Sequence, residues 1–257
     1  MYSIFPIPAF NDNYIWVLHD DIKKQAIVVD PGDATPVLDF LHERGLTLSA
    51  LLITHKHHDH TGGIPALLSA FPQSLVFSHP MENILQTTHT VTDGDIFKIN
   101  DHAFSVIHIP GHTLGHVAYY CKLILFCGDT LFTNGCGRIF EGTAEEMLQS
   151  LKKLMALPDD TEIYCGHEYT LSNIAFALHV EPTNQILQKR FEAAKQLRSH
   201  HKPTVPSTLK LEKDTNPFLR CNEHGIIETV SHHAGKKLNS AVDVFAELRQ
   251  WKNNFKV

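Results

Sequence analysis

Residues 51–63 read LLITHKHHDHTGG, an apolar run that passes directly into four histidines and an aspartate and ends on paired glycines. Side chains alternate along a strand, so His55 and His57 point the same way where the strand ends. A tight turn then brings Asp59 and His60 to the same cavity, and Gly62-Gly63 lets the chain swing into a following helix. His58 is out of phase with His55 and His57 and is expected to face outward. Imidazole nitrogens and carboxylates are the ligands of a borderline cation such as zinc. Four potential ligands are too many for one catalytic metal that keeps an open position; they suit two metals, each taking a pair.

Two metals need further ligands, and three later segments share one pattern: strand, glycine, ligand. Phe104–Pro110 runs into Gly111-His112, Leu123–Cys127 into Gly128-Asp129, and Glu162–Cys165 into Gly166-His167. Side chains from separate strands are thereby delivered to one sheet edge. Asp129 has two oxygens and can bridge two cations, which a neutral imidazole cannot do. His116, four residues after His112, is a competing ligand or a hydrogen-bonding support. Asp30, at the end of IVVDPGD, is either a support for the site or a turn residue. His108 alternates away from its strand end, and the remaining histidines lack ligand spacing.

Short β-branched or aromatic runs interleave with helical patterns over the first two thirds of the chain, the signature of an α/β domain. The strands expected are Tyr14–Leu18, Gln25–Val29, Ala50–Thr54, Leu75–Phe77, Phe104–Ile109, Val117–Cys121, Leu123–Cys127 and Glu162–Cys165. Pro36 opens one helix, and Thr143 with Glu146 forms a capping box ahead of another. From about residue 170 the pattern turns helical. Ile186, Leu187, Phe191, Ala194 and Leu197 mark one helix. The breaker-rich HKPTVPST is extended or looped. Ala241, Val244, Phe245, Leu248, Trp251 and Phe255 mark an amphipathic helix near the C-terminus.

Composition narrows the partners. A net charge of −6 argues against a nucleic-acid or anionic-membrane surface. No run reaches the roughly 18–20 apolar residues of a membrane span. The N-terminal stretch lacks a secretory signal's basic and apolar regions. The 5 cysteines are scattered, with no CxxC pair, and read as reduced thiols of a cytoplasmic chain. Nothing in the pattern requires an obligate interface, so a monomer is the expectation.

The four segments THKHHDHTGG, PGHTLGH, FCGDTLF and CGHEYT, in that order, resemble the metallo-β-lactamase superfamily. GDTLFTNGCGRIFEGTAEEM, CGHEYTLSN and NPFLR resemble, more narrowly, the glyoxalase II (hydroxyacylglutathione hydrolase) family, and the likeness spans nearly the whole chain. The resemblance implies an αββα four-layer sandwich over residues 1–168, followed by a small α-helical, glutathione-binding domain over 169–257. It implies one metal on His55, His57 and His112, a second on Asp59, His60 and His167, and Asp129 bridging them; His116 is then not a ligand. The metals implied are two divalent ions, zinc foremost, with iron or manganese as alternatives.

The expected chemistry is attack on a thioester carbonyl by a hydroxide shared between two cations, with Asp59 orienting it. The substrate implied is an S-2-hydroxyacylglutathione such as S-D-lactoylglutathione, in the second step of methylglyoxal detoxification. Arg249 and Lys252, three apart on the last helix, are suited to gripping a carboxylate and match the family's C-terminal glutathione-binding pair. Tyr169 matches a tyrosine that binds the glutathione backbone, and Arg138 a basic residue in the same pocket. Phe140 departs from the tyrosine of some relatives and lacks its hydroxyl contact. Rival readings keep the metals and change the substrate. A secreted lactamase would want a signal peptide, a nuclease a basic track, and a one-iron persulfide dioxygenase would not need Asp59, His60 and His167 together. A metal-storage protein would not need ligands at separate strand ends.

Overall fold

The computed structural model describes residues 2–256. Two six-stranded sheets form its centre. The first contains, in spatial order, β1 (Tyr2–Ala9), β2 (Asn13–Asp20), β3 (Gln25–Val29), β4 (Thr47–Leu52), β5 (Leu75–Ser78) and β6 (His89–Thr90). The second is drawn from β7 (Ile96–Ile99), β8 (His102–His108), β9 (Val117–Cys121), β10 (Ile124–Gly128), β13 (Glu162–Cys165) and β14 (Ser207–Thr208), ordered 14-13-10-9-8-7. A small hairpin, β11 (Leu131–Phe132) and β12 (Gly135–Cys136), lies between β10 and β13 in the chain.

Alternation along β2 explains the layering. Ile15 and Val17 join one apolar cluster with Val37 and Leu41 of α1 (Thr35–Arg44) and Ile64 and Leu67 of α3 (Ile64–Ala70), which follows the single turn α2 (His58–Thr61). Tyr14, Trp16 and Leu18 face the other way, into a second cluster shared with Phe104, Val106 and Tyr119 of the facing sheet. A sheet buried on both faces must have cover on both, which yields helix, sheet, sheet, helix. On the far side, Met147, Leu148, Leu151 and Leu154 of α4 (Ala144–Met155) belong to that second cluster. The expected capping box is present: Thr143 Oγ1 accepts from Glu146 N (3.1 Å), and Glu146 Oε2 accepts from Thr143 N (2.8 Å).

The chain after residue 169 supplies α5 (Thr170–Val180), α6 (Gln185–Ser199), α7 (Leu209–Thr215), α8 (His224–Ala234) and α9 (Ala241–Asn254). Phe176, Leu209, Val230, Phe245 and Leu248 continue the α4 core, whereas Ile174 and Ala177 of α5 and Leu187 and Ala194 of α6 form a small cluster of their own. β14 pairs with β13, so the helical part also completes the second sheet. The anticipated stripe of α9 is present except for Phe255, which lies just past the helix end.

All eight expected strands are found, with ends shifted by a few residues. The expectation omits β1, whose Pro6 and Pro8 argue against a strand; β1 sits at the sheet edge, where a missing N–H leaves no ladder bond unmade. It also omits α5, which buries Ile174, Phe176, Ala177 and Val180 on several sides and so shows no amphipathic period. Among the described residues, no helix is long and apolar enough to cross a membrane.

Candidate metal centre

The four ligand-bearing segments converge on one edge of the sandwich. His55 and His57 follow β4 on extended backbone, with His57 capping α2; Asp59 and His60 lie in its single turn. His112 follows β8, Asp129 follows β10, and His167 follows β13. Gly128 shows why glycine precedes a ligand. Its φ is +48°, and a Cβ there would stand 2.3 Å from Thr54 Oγ1. His58 is exposed, as its phase requires.

Among the described residues three sets of potential donors form, one of them, Asp30 with His55 and His60, fully buried; the other two reach a cavity beside them. His55 Nε2 and His112 Nε2 each lie 3.0 Å from His57 Nδ1. Asp59, His60 and His167 make a second group, with His167 Nε2 at 3.4 Å and His60 Nε2 at 3.5 Å from Asp59 Oδ2. Asp129 stands between the groups. Its Oδ2 is 3.7 Å from His112 Nε2 and 3.2 Å from His167 Nε2, and its Oδ1 is 3.5 Å from His60 Nε2. Donors about 2.0–2.1 Å from a tetrahedral zinc would sit about 3.3 Å from one another, close to these separations.

Hydrogen bonding at the outer ring nitrogens tests whether a cation fits. His60 Nδ1 lies 3.1 Å from Asp30 Oδ2, His167 Nδ1 2.8 Å from Asp12 Oδ1, and His112 Nδ1 2.8 Å from the Arg138 carbonyl. These oxygens can only accept, so each Nδ1 carries the proton and each Nε2 turns a lone pair inward. His55 behaves likewise: Thr54 Oγ1 spends its proton on Asp30 Oδ2 (2.7 Å) and accepts from His55 Nδ1 (3.1 Å). In their neutral forms His55 and His112 therefore turn lone pairs toward His57 Nδ1, and His60 and His167 turn theirs toward carboxylates. Within this ring His60 Nε2 and Asp129 Oδ1 are buried without a hydrogen-bond partner. Buried polar atoms are rarely left so, and a divalent cation held by Asp59, His60 and His167 would satisfy both.

Proton equilibria describe the same field. Burial opposes charge on His60 and His167, yet the carboxylates around them outweigh it together, Asp129 with Asp30 and Asp59 raising His60 well above the ordinary histidine value and Asp129 with Asp59 pushing His167 up to about 10. Burial resists ionisation of Asp129, but His60 and His167 hold its carboxyl well below the usual range. Burial keeps His55 and His112 neutral, as metal ligands must be.

The competitors resolve as supports. His116 Nε2 accepts from the Asp129 backbone N–H at 3.1 Å, and its ring stacks on His55. Asp30 braces both His60 and Thr54. His108 stacks on His79, away from the centre. Sequence reasoning missed Asp12 and Asn13, in an ordinary polar turn, together with Thr54; none carries a local signal.

Beside the donors opens a cavity of about 560 Å³, lined by His57, Asp59, Arg138, Tyr169, Arg249 and Lys252 among others. Tyr169 stacks on the His167 ring, centroids 4.7 Å apart. Arg249, only 7% exposed, donates from Nη1 to the Cys136 carbonyl (2.6 Å) and keeps a buried Nε without a partner. Lys252 Nζ donates to the Ser172 carbonyl (3.0 Å). Burial first, then repulsion from Arg249 and Arg138, lowers the Lys252 ammonium to about 8. Arg138 and Phe140 are exposed at the cavity rim, with Phe140 edge-on to His57. All four expected substrate-binding residues thus share one cavity with the donor groups.

A fold of two packed sheets with helices outside and His/Asp donor groups at one edge defines a hydrolase class: residues 10–167 match the metallo-beta-lactamase superfamily. Residues 168–255 match the hydroxyacylglutathione hydrolase C-terminus. Hydroxyacylglutathione hydrolases of Nitrosomonas eutropha and Aliivibrio fischeri are 51% and 53% identical over 257 and 256 residues, covering 99% of this chain and 100% of theirs. The crystal structure of ETHE1 from Myxococcus xanthus shares the fold, with a TM-score of 0.68 at 24% identity over 99% of this chain and 90% of that one. The chain belongs to the hydroxyacylglutathione hydrolase family of the metallo-β-lactamase superfamily.

Proposed function

We propose that the chain is a hydroxyacylglutathione hydrolase that cleaves S-D-lactoylglutathione and related 2-hydroxyacyl thioesters to glutathione and the 2-hydroxy acid. One observation carries the reading: paired donor groups and buried cationic side chains line the same cavity. His55, His57 and His112 would hold one divalent ion; Asp59, His60 and His167 the other, with Asp129 shared. The donor set fits zinc first and admits iron or manganese. Such ions supply the Lewis acidity that polarises a carbonyl and makes water nucleophilic at neutral pH.

The chain's own groups do the rest. Asp59, its Oδ2 held by Asn13 Nδ2 at 2.9 Å, accepts a hydrogen bond from the attacking water and aims it. Arg249 and Lys252 hold the glutathione carboxylate, Tyr169 the peptide, and Arg138 the outer end. A thiolate leaves, with a conjugate-acid pKa of about 8.5 by the cysteine reference, so no strong general acid is required. Residues 1–168 then serve as the catalytic unit and 169–257 as the substrate-gripping one. Five buried free cysteines support a reducing, cytoplasmic setting, and a monomer is the form proposed.

The experiment is hydrolysis of S-D-lactoylglutathione, followed by loss of thioester absorbance, beside metal counting. About two equivalents and rapid turnover are expected in the native chain. Asp129→Ala loses both, and Arg249→Ala raises KM with kcat little changed. Full activity in Asp129→Ala refutes the shared-carboxylate site.

A further inference from the structure

The two donor groups are braced by different parts of the molecule. The first receives neutral partners from its own surroundings, the Thr54 hydroxyl on His55 and the Arg138 carbonyl on His112. Asp12 and Asn13, where β1 turns into β2, hydrogen-bond to the second group and, among the described residues, make no hydrogen bond to the first. Asp12 Oδ1 takes the His167 Nδ1 proton at 2.8 Å, and Asn13 Nδ2 donates to Asp59 Oδ2 at 2.9 Å. The backbone locks the turn against the same strand end: Glu168 N donates to the Asp12 carbonyl (2.8 Å), Tyr14 N donates to the Gly166 carbonyl (2.8 Å), and Asn13 bridges to His167.

We infer that Asp12 and Asn13 are positioning residues for one metal position alone, the one formed by Asp59, His60 and His167. The inference rests on the proposed reading in taking those residues as ligands. Its physical basis is twofold. A ring whose outer N–H is fixed by a carboxylate cannot rotate away from the cation and becomes a stronger donor. A carboxylate whose second proton-accepting site is occupied by an amide keeps the rest of its lone pairs on one bearing. Asp59 comes from the first sheet's loop and His167 from the second sheet's strand end, so their separation depends on how the sandwich closes. The turn contacts both and sets that separation. With Asp30 on His60, both imidazoles of this position carry carboxylate partners, whereas the imidazoles of the other position do not.

The test is stepwise zinc affinity, measured by chelator competition on the full chain. In the native protein, Asp12→Ala or Asn13→Ala weakens one of two equivalents by about 10–100-fold, the range for losing such a partner, and leaves the other within twofold. Asp12→Asn, which keeps an accepting oxygen and the side-chain shape, recovers part of the loss. Two backgrounds assign the position. In His57→Ala, where the second position remains, Asp12→Ala weakens the remaining equivalent. In His167→Ala, where the first remains, it has no effect. Equal weakening in both backgrounds, or none in either, overturns the inference while leaving the dinuclear site intact. A native chain that binds no tight zinc overturns both.

Discussion

Gly166→Ala is a sharp test of the donor geometry, because Gly166 φ lies outside the left-handed region and the added methyl acts by contact alone. A Cβ at this position would lie 2.6 Å from Asp129 Oδ1 and 2.8 Å from His60 Cε1. Carbon–oxygen contacts settle at about 3.3 Å or more, so the methyl must displace Asp129 by about 0.7 Å. The glycine cannot retreat: its N–H donates to the Gly128 carbonyl (3.0 Å) and its carbonyl accepts from Tyr14 N–H (2.8 Å). Metal–ligand distances tolerate about 0.2 Å, a third of the required shift. Loss of one well-placed support costs 10–100-fold in metal affinity, about 1.4–2.8 kcal/mol at about 1.4 kcal/mol per tenfold. That falls inside the roughly 1–3 kcal/mol of an overpacked core. Chelator competition should therefore show the equivalent held by His60 weakened most, with thioesterase activity falling in parallel at limiting zinc. Two equivalents bound with native affinity would refute the placement of Asp129 and His60 as ligands.

Two further outcomes follow from buried charge. Lys252, lowered to about 8, is cationic below that pH and neutral above it, so KM for the glutathione thioester should rise as pH passes through about 8; Lys252→Arg, which stays charged, should remove that rise, and an unchanged KM profile would dismiss Lys252 from the carboxylate grip. Glu212 is fully buried, pairs with Arg190, and accepts from Ser207 Oγ (2.6 Å) and Asn134 N (2.8 Å). Breaking a buried pair on one side costs about 3–5 kcal/mol, so Glu212→Ala should lower Tm on the order of 10 °C; a shift under 2 °C would refute the assignment.

The candidate donors were legible because most are announced locally. A strand, a tight glycine and a donor are adjacent in the chain, and strands in one sandwich can share an edge. His112, Asp129 and His167 follow that rule, His55 and His57 leave their strand directly, and Asp59 and His60 need only the one turn between them and the strand. What lies around them was not legible. Asp12 meets His167 across 155 positions, and Glu212 meets Asn134 across 78. No periodicity or propensity links such residues, since the contact exists only once the sheets are packed. The ambiguity of Asp30 and His116 was of the same kind: their types allowed either role, and only distance to neighbouring rings decided it.

The chain's own order of residues determined the fold class, the donor types and the points where each donor leaves its strand, because alternation, capping and turn chemistry act over a few residues. Tertiary structure alone decided three things. It set the distances that stand Asp129 between the two sets of donors. It carried Arg249 and Lys252, more than 80 residues beyond His167, into the cavity beside them. It gave one donor set carboxylate partners and the other neutral ones. Each depends on the closing of one sheet on another and of the helices on both, a long-range packing of apolar surfaces that specifies which faces meet but leaves no mark on the polar residues it brings together.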